Sequence, residues 1–244
     1  MSDPSPTVAG VFHDSKENDV NPDPILFLSG AGLPAWIWDD VRADLPGESV
    51  VAAYPKRGDA RSADYAAAAL EQVPAGSFTI VAHSIGGVVA SRIVTTAPER
   101  VTGVLGVAAS FPAAGASFLT GLPAPQRVLV GLIMRVAGTR PPEKAIRSTL
   151  CAGLDEEVTG HIVAEFAPES RHLYQDAVTP RTFPAHTGFV VTTEDRQMAT
   201  ALQYRYATEL GSGFRRELPT GHLPMLQDPA ALAGIVREFT TGGR

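Results

Sequence analysis

The stretch "FTIVAHSIGGVVASRIV", residues 78–94, decides how the chain is read. Residues 78–83 form a short apolar run of strand character, Gly86 and Gly87 open a segment of helical spacing, and Ser84 stands at the junction. Strand, turn and helix in that order form the context in which a G-x-S-x-G turn lifts a nucleophilic serine, here with Ala82 in place of the first glycine. Such a turn needs small residues on both sides, because the two backbones pass close together. The methyl group of Ala82 is a modest intrusion there, where a branched side chain would not fit. "SIGG" alone also reads as a capped helix start, since serine is a favoured N-cap.

Working outward, further apolar runs at residues 25–29, 49–54 and 101–109 suit strands buried on both faces. Between them, "WIWDDVRADL", "SADYAAAALEQV" and "GGVVASRIVTTAP" carry helical spacing, with Ser62 expected to cap the second and Pro98 to limit the third. The pattern resumes with a strand at 188–194, a helix in "ATALQYRYATEL", a short strand "GFRREL" and a terminal helix from Pro229 with Asp228 as its cap. Alternation of this kind predicts an α/β protein built on a mostly parallel, doubly wound sheet. Residues 112–185 interrupt it with three or four helix-like segments and no convincing strand. The expected division is therefore a core of residues 1–111 and 186–244 and a helical cap of 112–185. Near the start, "TVAGVFH" reads as one more strand.

Composition narrows the function classes. Apolar residues at 44% and charged residues at 19% describe an ordinary globular chain, long enough at 244 residues for one substantial core. A net charge of −6 with scattered Lys and Arg leaves no basic field for phosphates, so nucleic acid is not expected as a partner. The apolar run at residues 128–134 is far shorter than the roughly 20 residues of a membrane span. "MSDPSPTVAG" lacks the cationic start and apolar stretch of a secretory leader, and the single cysteine, Cys151, can form no internal disulfide. A cytoplasmic location is expected on these grounds.

A serine hydroxyl attacks at neutral pH only when a base takes its proton and a third group orients that base. His222 lies in a Gly- and Pro-containing loop, "PTGHLP", after the last short strand, where it can reach the top of the sheet. His13, His161, His172 and His186 have no partner signal and read as surface or packing residues. His83 adjoins the serine but points to the opposite face of its strand, so a structural role is expected. For the carboxylate, Glu194 and Asp195 stand where a strand runs out; Asp195 is preferred and Glu194 is the reserve. Acyl transfer also needs two donors for the developing oxyanion. The Ile85 N–H follows the serine directly, and Ala31 N–H sits in the loop "SGAGLP", where Gly30 and Gly32 allow a sharp turn.

These residues together resemble the α/β-hydrolase superfamily, and most of all its small esterases, the group that also holds plant methyl-ester esterases, pyrethroid-type esterases and hydroxynitrile lyases. The resemblance covers roughly residues 24 to 240 and rests on "LSGAG…WIWDDV", "VAHSIGG", "TTEDRQMATALQ" and "GHLPMLQDP". It implies that Ser84 is the nucleophile, Asp195 the triad acid and His222 the base. Where the family usually has His-Gly the chain has Ser29-Gly30, which bears on loop packing more than on chemistry. The lyase branch commonly has a lysine after the histidine and a threonine for the glycine of the oxyanion loop; Leu223 and Gly30 favour the esterase branch.

The expected activity is hydrolysis of a carboxylic ester through an acyl-enzyme, with no metal or organic cofactor and a small, apolar ester as substrate. Two other outcomes stay open at this level: a non-hydrolytic enzyme of the same fold, lyase or acyltransferase, and a ligand-binding protein without turnover. Leu122, Val128, Leu132 and Met134 are expected either to roof the pocket or simply to pack the cap on the core. Lys56, Arg57 and Arg61 read as a solvated face, with recognition of an anionic substrate group as the alternative.

Overall fold

A computed structural model describes residues 23–242, so the strand expected at residues 7–13 and His13 lie outside the described residues. The elements follow in the order β1 (Ile25–Leu28), α1 (Asp39–Ala43), β2 (Ser49–Val51), α2 (Ser62–Gln72), β3 (Phe78–His83), α3 (Gly86–Thr96) and β4 (Val101–Val107). Then come α4 (Phe118–Gly121), α5 (Ala124–Ala137), α6 (Glu143–Ala145), α7 (Glu156–Glu165) and α8 (Arg171–Gln175). The chain returns to the sheet with β5 (His186–Thr192), α9 (Thr200–Leu210), β6 (Phe214–Leu218), α10 (Pro224–Gln227) and α11 (Pro229–Gly242).

Six strands pair in the order β2-β1-β3-β4-β5-β6, every pair parallel, which is the doubly wound sheet the alternation predicts. Side-chain alternation divides the core into two layers. Leu26, Leu28, Phe78, Ile80 and Ala82 pack on one face against Tyr65 and Ala69 of α2, Val88 and Ile93 of α3, and Leu202 and Tyr206 of α9. Phe27, Val81, Leu105 and Val190 pack on the other face against Trp38, Val41 of α1, and Val236 and Phe239 of α11. The inner strands β1, β3, β4 and β5 are therefore buried on both sides, which is why they read as continuous apolar runs, whereas the edge strand β6 alternates partly buried with exposed positions.

Strand order reverses at β1, since β2 lies on one side of it and β3 on the other. At such a switch point the loops leaving the carboxyl ends of neighbouring strands diverge to opposite faces and open a crevice. The loops after β1 and β3 flank that crevice, and they carry Ala31 and Ser84.

Several local expectations change. The second strand ends at Val51, because beyond it the Gln72 side chain takes over the pairing, accepting from Ala53 N–H at 2.9 Å and donating to Ala53 O at 2.9 Å. Ser62 is the first residue of α2 and not its cap. Instead Asp64 accepts the Arg61 N–H at 2.7 Å, and Asp176 accepts the orphan Ser62 N–H at 3.1 Å. "WIWDDV" begins as a 3₁₀ turn, Ala35–Trp38, before α1. As expected, Asp228 caps α11 by accepting Ala231 N–H at 3.0 Å, and α3 stops two residues before Pro98. Residues 112–185 contain helices and no strand.

Gly86 shows how tightly the β3–α3 crossing is built. A Cβ placed there would lie 2.4 Å from the carbonyl oxygen of Leu28, an atom of the neighbouring strand that cannot give way. Gly86→Ala is expected to lower the unfolding free energy by about 1–3 kcal/mol, the usual cost of overpacking; urea titration measures it.

Candidate active site

Ser84 is not the N-cap of α3. Ile85 occupies that position, and Ser84 sits one residue earlier with φ at 52°, a left-handed backbone that a non-glycine residue adopts only at a cost of roughly 1–3 kcal/mol. Neighbouring backbone holds it there: Ser84 N–H donates to Val107 O at 3.3 Å, and Ser110 N–H donates to Ser84 O at 2.8 Å. The sharp turn raises the hydroxyl out of the sheet and toward the loop after β6.

There His222 Nε2 lies 3.1 Å from Ser84 Oγ, and His222 Nδ1 lies 2.7 Å from Asp195 Oδ2. Asp195 follows β5, and His222 follows β6, so three loops at one end of the sheet converge on a single polar chain. Its inner members are dry, with side-chain exposures of 1% for His222 and 0% for Asp195. With Nδ1–H directed at the carboxylate, Nε2 carries a lone pair that can accept a hydrogen bond from the Ser84 hydroxyl. Glu194, by contrast, is exposed; only its backbone N–H is engaged, with Thr220 O at 3.0 Å.

Asp195 is held from every side. Oδ1 accepts the N–H groups of Gln197 at 2.7 Å and Met198 at 2.8 Å, while Oδ2 also accepts from Thr192 Oγ1 at 3.0 Å and Gln203 Nε2 at 3.2 Å. Burial opposes its charge, but the His222 imidazole and the two amides outweigh burial and hold the carboxyl below its ordinary value.

Gln203 was not found from sequence. It is fully buried on α9, where its amide spans Thr192 and Asp195. The available signal was a polar residue within the buried face that also carries Leu202, Tyr206 and Ala207. His83, expected to be structural, supports the site: its ring lies 4.8 Å from the His222 ring. Its Nε2–H donates to the carbonyl of His222 at 2.8 Å, and burial, with the nearby His222 ring, pushes its pKa down to about 3, which keeps it neutral. Of the other histidines, His186 stacks on Phe239 at 3.9 Å, His161 meets the edge of Trp36, and His172 faces Asp176. Cys151 is buried and its thiol is pushed up to about 11 by that burial, which keeps it protonated at neutral pH.

The loop after β1 lies directly against the serine: a Cβ on Gly30 would sit 3.0 Å from Ser84 Cβ. Ala31 and Ile85 both line the cavity that holds Ser84 and His222, and among the described residues neither backbone N–H has a protein acceptor. Where Ser29 replaces the expected histidine, its hydroxyl accepts from Trp38 Nε1 at 3.0 Å, so the substitution is absorbed by an indole hydrogen bond.

The cavity measures about 390 Å³. Leu122 and Met134 line it as expected, but Val128 and Leu132 do not: they are 68% and 58% exposed on the outer side of α5, and Leu129, Val130 and Ile133 line the cavity. The error is one of helical phase, because an α-helix apolar on most of its circumference does not announce which side is covered. Among the described residues no Asp, Glu, Lys or Arg lines the cavity. Lys56 is exposed, Arg57 pairs with Asp59 and Asp64, and Arg61 pairs with Asp176. Among the described residues no group of three or more His, Cys, Asp or Glu side chains is arranged to hold a metal ion, and no helix is long and apolar enough to cross a membrane.

A family model described as alpha/beta hydrolase family matches residues 25–235. No curated protein matches the chain by sequence. Among solved structures, an extracellular alpha/beta-hydrolase from a Paenibacillus species, described as sharing structural and functional homology with tobacco salicylic acid binding protein 2, has a TM-score of 0.75. That match has 16% identity and covers 88% of this chain and 98% of the other. Tomato methylketone synthase I complexed with 2-tridecanone gives a TM-score of 0.73 at 15% identity, covering 91% and 99%. A pyrethroid hydrolase gives 0.69 at 19% identity, covering 91% and 98%. At these identities the likeness is one of fold.

The Asp195 environment carries a pH signature. Its folded pKa lies below its unfolded value of about 4, so the ionised form contributes stability that is present above pH 4 and lost as pH falls through the folded value. Asp195→Asn is expected to remove that contribution. The stability difference between wild type and variant, read by urea unfolding at successive pH values, should shrink as the pH is lowered below about 4.

Proposed function

The chain belongs to the alpha/beta hydrolase family, and on that premise we propose that it is a serine hydrolase that cleaves a carboxylic ester through an acyl-enzyme. The observation that carries the proposal is the dry hydrogen-bonded series from Ser84 Oγ through His222 to Asp195, 3.1 Å and 2.7 Å long in its two links. Ser84 Oγ attacks the ester carbonyl while His222 Nε2 takes its proton. Asp195 stays ionised and stabilises the imidazolium. The negative charge on the carbonyl oxygen is met by the Ile85 and Ala31 amides, each such donor being typically worth about 10²–10³ in rate. His222 then returns the proton to the departing alkoxide. Water, activated by the same imidazole, releases the acid and restores Ser84.

Residues 112–185 act in this scheme as a helical cap over a core of residues 1–111 and 186–244, and α5 supplies Val130, Ile133 and Met134 to the cavity wall. A wall that carries no Asp, Glu, Lys or Arg among the described residues suits an uncharged ester with an apolar acyl or alcohol group, because these residues offer a buried substrate charge no ion-pair partner. The volume lies at the small end of ligand pockets, whose range is roughly 300–1,000 Å³.

Incubation with p-nitrophenyl acyl esters and a fluorophosphonate probe tests the activity. A burst of p-nitrophenol and covalent labelling are expected, both lost in Ser84→Ala. Folded wild-type protein that neither labels nor turns over any ester would sink the proposal. Asp195→Asn should lower kcat by about 10⁴, the scale of a lost triad acid, whereas Glu194→Gln should leave it unchanged. Filling the cavity with Ile133→Trp is expected to shift kcat/KM toward acetyl over octanoyl esters by at least about tenfold.

A further inference from the structure

Beyond the Ser84, His222 and Asp195 series, one more carboxylate binds the loop that borders the site, and the mechanism above does not use it. Glu169 lies in the segment between α7 and α8, half-buried, with one oxygen on the loop that carries Ala31 and the other on α2. Oε1 accepts Gly32 N–H at 3.3 Å and Oε2 accepts Tyr65 O–H at 2.8 Å. The tyrosine hydroxyl has its own anchor, since Ser170 N–H donates into it at 3.0 Å and leaves its proton for Glu169. Both carboxylate oxygens thus accept, which matches the ionised form. Burial holds the carboxyl above its ordinary value, and the Tyr65 and Gly32 donors offset only part of that rise.

The same segment takes the other polar group of Gly32. Ala167 N–H donates to Gly32 O at 3.0 Å, and a Cβ on Gly32 would lie 2.4 Å from the Phe166 ring, so residues 166–169 close around this one position. Gly32 itself has φ at 73°, a conformation glycine reaches without strain. On the near side of Ala31, Ser29 O accepts from Tyr54 O–H at 3.1 Å and Ser29 Oγ accepts from Trp38 Nε1 at 3.0 Å. Ala31 therefore stands between two pinned residues, and its own N–H has no protein acceptor among the described residues.

We infer that Glu169 is a positioning residue for the oxyanion hole: by engaging the Gly32 amide it sets the loop so that the Ala31 N–H faces the reacting carbonyl, without touching the substrate itself. The inference rests on the serine-hydrolase proposal above. Preorganised donors stabilise a transition state because no reorientation is needed when the charge develops. Removing the Glu169 carboxylate leaves the Gly32 amide to seek another acceptor, and the peptide units on either side of it turn with it.

The test compares Glu169→Leu and Glu169→Gln with wild type. It reads kcat per fluorophosphonate-titrated serine, KM, and the inhibition constant of a trifluoromethyl ketone, whose serine adduct bears the oxyanion. For Glu169→Leu, kcat should fall about 10- to 100-fold with KM within about twofold, and ketone affinity should weaken by a similar factor. Glu169→Gln keeps an acceptor for Gly32 N–H and should recover kcat to within about threefold of wild type. Unchanged kcat per titrated site with only a lower thermal midpoint, or a rise in KM alone, would make Glu169 a structural tie and overturn the inference. If Glu169→Leu does not fold, Tyr65→Phe decides: a parallel loss in kcat and ketone affinity supports the role, and unaltered values refute it. Wild type that neither labels nor binds the ketone removes the hydrolase proposal and this inference together, whereas labelled wild type with unaltered variants removes the inference alone.

Discussion

A left-handed backbone at Ser84 is the constraint from which the rest of the site follows. A serine does not choose φ near 50° unaided, so the surrounding structure has to over-determine it. β3 ends against β1 and β4, α3 begins within contact of the Leu28 carbonyl through Gly86, and the chain leaving β4 binds both the Ser84 N–H and its carbonyl oxygen. With those contacts in place the side chain has one direction left, toward the ends of β5 and β6. The strain is local, but the packing that sustains it belongs to the whole sheet.

Placement at the switch point explains why so few residues suffice. Loops after β1 and β3 emerge side by side, and the next strands outward, β4, β5 and β6, bring Asp195 and His222 to the same rim. The side chains of His222 and Asp195 are removed from water and then given partners. His222 is oriented by Asp195 on its ring and by His83 on its backbone, and Asp195 is oriented by Thr192, Gln203 and two amides. In a low-dielectric setting hydrogen bonds so arranged around Asp195 and His222 stiffen both side chains, and a missing member would leave a costly orphan. Glu169 and Tyr65 repeat that logic on the opposite side of the cavity, around the Gly30 to Gly32 loop.

Much of this was legible in the chain itself. Buried parallel strands show as continuous β-branched runs, so the sheet and its alternation with helices could be read directly, and Ser84, Asp195 and His222 each stand at the end of a run where a loop must begin. What escaped were partners chosen by through-space geometry. Gln203 looks like any helical glutamine until α9 is docked on β5, and Glu169 looks like one more surface acid until its segment folds back over residue 32. The outward phase of Val128 and Leu132 was missed because α5 is apolar on nearly all sides.

By itself, then, the sequence determined the order of elements, the elbow with its small flanking residues, and the serine and histidine of the polar series, since these depend on local periodicity and on steric limits within a few positions. Only the tertiary structure decided which acid of the pair 194–195 turns inward, that the N-terminus of α2 is served by Asp64 and Asp176 rather than by Ser62, and which side of α5 faces the cavity. Those choices depend on where distant backbone amides and aromatic rings come to rest, and pairing across more than a hundred residues leaves no mark in the spacing of neighbours.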